Sequence, residues 1–225
     1  MENEVQSKSF SLWTIEDAVE VFGLEMYYEG EDMENLLTVN ETPTEAEKKH
    51  LNWLRKRYIH KVGTWNEVEL ESFFLIPVLD MAEFYEAKVD SYMERAISAE
   101  IDGWRLYGNV DWMVAQGFGK PKATYFCLDE FKKSKSQSGD PEGQLVTAML
   151  AAQALNKIET PDNQLPVYGA YLLGGSAWRF CMLRERCFTQ SLPFDLTDEE
   201  KLFKMFGVLN NLKNMIVVEL QRRSN

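Results

Sequence analysis

The sequence predicts an α/β fold in which a mixed central sheet is flanked by helices, with further helices added at both ends. Three observations predict it. Residues 91–133 and 166–184 alternate apolar and polar side chains between turn signals, the period of strands. Residues 66–87 and 141–156 carry long apolar content with helix-start signals. Both ends of the chain, before residue 63 and after residue 196, show capping patterns followed by apolar stripes at helical spacing. The expected organisation is a helical N-terminal extension over 1–62, a core over 63–190 and a C-terminal helix over 191–225 packed on that core.

In the N-terminal part, Thr14 is the expected N-cap of a helix that stops at Gly23. Thr44 to Glu47 is a capping-box pattern for a second helix, with Leu51, Leu54 and Tyr58 on one stripe. The run from Phe73 to Leu79 is apolar on most sides, as in a buried helix, and Pro77 is a candidate kink. Glu67, Glu69 and Glu71 fall in its first turns, where the helix dipole favours acids. Asp140 followed by Pro141 is a helix start, and Gln144 lies close behind it. Gly174, Gly175 and Ser176 form the turn of a hairpin, and the last helix follows the acidic cap pattern from Thr197 to Glu200.

The stretch from Arg105 to Lys133 organises the rest. In its first strand Leu106, Val110, Trp112 and Val114 are expected on one face, with Asp111 and Met113 on the other. In its second strand Thr124, Phe126, Leu128, Glu130 and Lys132 are expected to share a face. If the strands pair as a hairpin, Asp111 comes beside Glu130, and two such carboxylates repel unless a divalent cation separates them. Mg²⁺ suits hard oxygen ligands and keeps waters for chemistry.

Composition bounds the partners. The 225 residues, 45% hydrophobic and 27% charged, suit one soluble domain. No apolar run reaches the ~20 residues of a membrane span, and the first residues lack a secretion-signal pattern, so no membrane association and a cytoplasmic location are expected. Cys127, Cys181 and Cys187 are odd in number and lack metal-site spacing, and His50 and His60 stand apart from them. A net charge of −12 opposes nucleic acid at long range. Residues 120–139 run against that trend, where Lys120, Lys122, Lys132, Lys133 and Lys135 against Asp129 and Glu130 leave a local balance of +3.

The order helix, three strands, helix, two strands, with Asp111 on the second strand and Glu130-x-Lys132 on the third, resembles the PD-(D/E)XK nuclease superfamily, of restriction-endonuclease-like fold. The resemblance covers about residues 66–184. It is strongest toward the bacterial branch of type I restriction subunit nuclease domains, through Asn66-Glu67 ahead of Pro77, and Tyr168-Gly169 ahead of Gly175 and Trp178-Arg179-Phe180. Four E-x-K triplets occur in the chain, but only the one at Glu130 ends a strand-like run and precedes a helix. The motif's leading proline is replaced here by Val110.

The resemblance implies that Asp111 and Glu130 bind Mg²⁺, with Mn²⁺ as substitute. Lys132 would orient the attacking water, Glu67 would be an outer acid in competition with Glu69 and Glu71, and Gln144 would match a glutamine on the helix after the E-x-K strand. The substrate it implies is DNA, with Lys120, Lys122, Lys133, Lys135 and Arg179 as phosphate contacts. Two other readings compete: an inactive protein of the same fold serving as a binding or regulatory partner, and an ordinary ion-pair cluster in which Lys132 neutralises Glu130. A homo-oligomer is compatible with the sequence.

Overall fold

The computed structural model describes residues 5–85, 88–132 and 140–224, with the backbone alone for 129–132. In chain order the elements are β1 (Gln6–Ser9), α1 (Ile15–Phe22), β2 (Glu25–Tyr27), α2 (Glu31–Leu37), α3 (Glu45–Lys61), α4 (Glu67–Leu70), a π-helical turn (Glu71–Leu75) and α5 (Ile76–Met81). There follow β3 (Val89–Ile101), β4 (Trp104–Phe118), β5 (Lys120–Lys132), α6 (Pro141–Glu159), β6 (Val167–Leu173), β7 (Ala177–Arg184), β8 (Cys187–Gln190), β9 (Phe194–Asp195) and α7 (Glu199–Ser224). The fold is mixed α/β. Among the described residues, no helix is long and apolar enough to cross a membrane.

The local start and stop signals work as capping chemistry requires. Thr14 accepts the Asp17 N–H, and Gly23 closes α1 in the left-handed conformation. Thr44 and Glu47 complete a reciprocal capping box on α3, and Asp140 caps α6 ahead of Pro141. At α7 the capping side chain is Asp198, which accepts the Lys201 N–H at 3.0 Å.

Among the described residues, one sheet of nine strands runs in the order β1-β4-β5-β6-β7-β8-β2, with β3 on β4 and β9 on β7. The first 62 residues are therefore not all helical. β1 pairs in parallel with β4 and β2 in parallel with β8, at opposite ends of the sheet order. Such short strands carry too few side chains to show a period. β5 and β6 are parallel, whereas β3-β4-β5 and β6-β7 are antiparallel. Hydrophobic clusters cover both faces. One joins α3, α4, α5 and α7 to Trp112, Phe126, Leu128 and Trp178, and the other joins α1 and α6 to Val110, Met113, Cys127 and Tyr171.

Long-range polar contacts seal the layers. Asn156 of α6 is buried and behaves as a missing strand partner for β5: it accepts the Thr124 N–H at 2.8 Å and donates to the Thr124 carbonyl at 2.7 Å. Asn156→Ala is expected to strand both backbone groups and destabilise the protein by about 2 kcal/mol, a fall of roughly 4–8 °C in the midpoint of a thermal melt. An unchanged midpoint would mean that water replaces the amide.

Candidate functional site

The site is built where β4 and β5 part. β4 carries β3 along one edge. Its other edge is shared, because Trp104 pairs with Gln6 of β1 and Trp112 pairs with Leu128 of β5. The β4–β5 register runs from Phe118↔Lys120 to Trp112↔Leu128, whereas β5 stays with β6 as far as Lys132↔Leu173. Asp111 thus stands one residue beyond the last β4–β5 pair. The backbone of Glu130 and Lys132 lies across the opening, and their side chains lie outside the described residues, as do Lys133 and Lys135.

The strand alternation expected through Asp111 is not kept. Val110 belongs to the cluster under α6, yet Trp112 and Val114 belong to the opposite cluster, and Met113 returns to the α6 side. The even-numbered side chains change face across Asp111. Opposite it, the register passes from Arg95↔Val110 to Met93↔Trp112, and Glu94 between them has φ +50°. A glutamate held in the left-handed region inside a strand is strained, and such irregularities re-aim side chains. β5 also departs from strict alternation, since its register with β6 shifts between Leu128 and Phe131.

The third contribution comes from the helix before β3. Pro77 has no N–H to give to the carbonyl four residues back, and the turn ahead of it widens. The Ile76 N–H bonds to the Glu71 carbonyl, five residues back, as in a π-helix. Tyr58 stacks on Phe74 at 4.2 Å and anchors this turn against α3. Glu71 is the first residue of the widened turn and is half-buried. Burial holds its carboxyl up at about 7, and negative charge on Asp111, Glu94 and Glu67 adds to the effect.

The three glutamates of the helix start therefore divide their work. Glu69 caps: its Oε2 accepts the Asn66 N–H at 2.8 Å, and its own N–H donates to Asn66 Oδ1. Glu67 is exposed at the rim. Glu71 is the acid whose ionisation Asp111 opposes most among its charged neighbours. Glu94, absent from the sequence-based expectation, joins the same group. These side chains offer hard carboxylate oxygens, the ligand type that Mg²⁺ and Mn²⁺ take. Among the described residues, no group of three or more His, Cys, Asp or Glu side chains has the arrangement of a metal site. The side chain of Glu130, one of the two implied ligands, is not among them.

Gln144 is buried in the first turns of α6. Beside it in sequence, Glu142 forms a polar network that the sequence did not suggest. Gln190 donates to Glu142 Oε1, and the Tyr171 hydroxyl lies 2.8 Å from Gln190 Oε1 and 3.3 Å from Glu142 Oε2. Burial pushes the Glu142 carboxyl up, while the Gln190 donor offsets part of the shift. Arg179 is half-buried and bonds the Ser191 carbonyl at 2.8 Å, so its guanidinium is already engaged in the fold. Lys120 and Lys122 are exposed at the β4–β5 turn.

Set beside known proteins, the chain matches no family model and no curated protein.

Proposed function

We propose that this chain is a divalent-metal-dependent nuclease that hydrolyses DNA phosphodiester bonds, on a restriction-endonuclease-like core of the PD-(D/E)XK type. The observation that carries the reading is that β4 and β5 part beside Asp111, at the opening into which the E-x-K segment leads, and that the charge of Asp111 opposes the ionisation of half-buried Glu71. A half-buried carboxyl opposed by a neighbouring charge, beside a strained strand residue, is a combination that functional sites collect. The order α4-to-α5, β3, β4, β5, α6, β6, β7, with β5 and β6 parallel, agrees with the same reading.

Asp111 and Glu130 are the residues that would hold Mg²⁺ or Mn²⁺. The bound ion would neutralise the phosphate and lower the pKa of a water. Lys132 would orient the attacking water and offset charge on the phosphate oxygens. Glu71 takes the outer-acid place expected of Glu67, since its carboxyl is half-buried and its ionisation is opposed by Asp111. Gln144 of α6 would take the place of the glutamine that the resemblance puts on the helix after the E-x-K strand.

The test is cleavage of single- and double-stranded DNA with Mg²⁺, with Mn²⁺ and with chelator. The expected outcome is cutting with either cation that chelator abolishes. No cutting, joined to no cation binding by calorimetry, would move the protein to the reading of an inactive partner.

A further inference from the structure

The turn between β4 and β5 presents a large aromatic side chain that neither the core nor the acid cluster uses. Phe118 is fully exposed, at 103% of its reference area. Its placement is set by a tightly closed backbone. Phe118 pairs with Lys120 and Gly117 with Pro121, leaving Gly119 alone at the apex with φ +71°. A β-carbon on Gly117 would stand 2.1 Å from the Lys120 carbonyl oxygen, so only glycine allows this closure. The Gly117 N–H also donates to the Lys88 carbonyl at 3.1 Å, tying the tip to the chain entering β3.

The surroundings of Phe118 run against the acidity of the chain. Lys88, Lys120 and Lys122 are exposed around the tip, with Asp90 near the start of β3. Behind it, half-buried Arg223 bonds the Tyr125 hydroxyl at 2.9 Å and lies 3.3 Å from Gln116 Oε1. A cavity of about 410 Å³ reaches from Gly119 and Lys120 to Arg95 and Glu94, and Glu94 is a member of the acid cluster. The tip and the candidate centre thus adjoin one continuous surface.

We infer that the β4–β5 tip is a second substrate contact, at which Phe118 stacks on an unpaired base of single-stranded nucleic acid while Lys120 and Lys122 hold the flanking phosphates. The inference rests on the nuclease reading for the class of partner. Charge complementarity selects this occupant. An exposed aromatic face among Lys88, Lys120 and Lys122 matches a polyanion with exposed base faces, whereas a duplex hides those faces.

The experiment uses the full chain in EDTA, so that binding is read without cleavage. The probe is a 20-nucleotide single-stranded DNA carrying one 2-aminopurine, beside the same strand as a duplex. Wild type is expected to bind the single strand more tightly and to change the 2-aminopurine emission. Phe118→Ala should weaken binding about tenfold or more and remove the emission change, with Phe118→Trp restoring both. Lys120→Ala and Lys122→Ala should each lower the salt slope by about 0.7. Equal binding by wild type and Phe118→Ala, tighter binding of the duplex, no binding at all, or a change only in oligomeric mass by light scattering would each overturn the inference. Single-strand binding that persists in a wild type unable to cut with Mg²⁺ would overturn the nuclease reading and leave this contact standing.

Discussion

Asp111→Ala is expected to lower metal-dependent DNA cleavage at least about a hundredfold, and Glu71→Gln to lower it by about ten- to a hundredfold while stabilising the fold at pH 8. The opposite signs for activity and stability in Glu71→Gln follow from one cause. Burial and the charges of Asp111, Glu94 and Glu67 raise the Glu71 carboxyl from 4.5 to about 7 in the folded chain. The folded state then binds more protons than the unfolded state between those values, so stability falls as pH rises through that window. What Glu71 contributes is fully present below about pH 4.5 and is lost as pH passes about 7.

Discounted for the part of the side chain that water reaches, the ionised Glu71 costs roughly 1–2 kcal/mol at pH 8. Glu71→Gln is therefore expected to raise the melting midpoint by a few degrees at pH 8 and to leave it nearly unchanged at pH 4.5. Mg²⁺ should raise the wild-type midpoint at pH 8 and do less for either variant. Thermal melts at the two pH values with and without Mg²⁺, read beside the cleavage rates, check this. A Glu71→Gln protein of unchanged stability at pH 8 that still cuts at the wild-type rate would remove Glu71 from the site.

The second large effect concerns the seam between the N-terminal segment and α6. A β-carbon on Gly143 would lie 2.4 Å from the Thr14 carbonyl carbon, 2.5 Å from the Trp13 carbonyl oxygen and 2.7 Å from the Ile15 nitrogen. These are backbone atoms and cannot swing aside. The seam is pinned further by the Ile15 N–H, which donates to Asp140 Oδ2 at 2.8 Å, and by the burial of Trp13 against Phe22 and Trp104. Gly143→Val is expected to push α6 off this segment and destabilise the protein by about 3 kcal/mol or more, roughly 6–12 °C in the melting midpoint. Gly63→Ala, at an exposed position with open space around its β-carbon, is the matched control and should leave the midpoint within a degree or two. Equal melts for the two variants would show that the seam yields.

Much of the fold was legible because its signals are local. Thr14, Thr44 and Asp140 declared their helices through side-chain caps that need only a few neighbouring residues. The glycine pair at 174 and 175 declared the β6–β7 turn through positive φ values. Glu94 was within reach by the same means. Asp102 and Gly103, at φ +50° and +80°, make a two-residue turn, and counting back from Ile101↔Trp104 brings Glu94 opposite Asp111. The change of face at Asp111 had no such signal, because a local irregularity defeats an argument from a period of two.

By itself the sequence determined the α/β class and the succession of helices and strands from 66 to 184. Periodicity, capping and turn chemistry act within a few residues, so a single chain displays them. Only the tertiary structure decided that β1 and β2 enter the sheet, that β4 and β5 part beside Asp111, and that the charge of Asp111 opposes the ionisation of half-buried Glu71. Strand pairing and carboxyl pKa depend on groups brought together from positions tens of residues apart, and on the water that packing excludes.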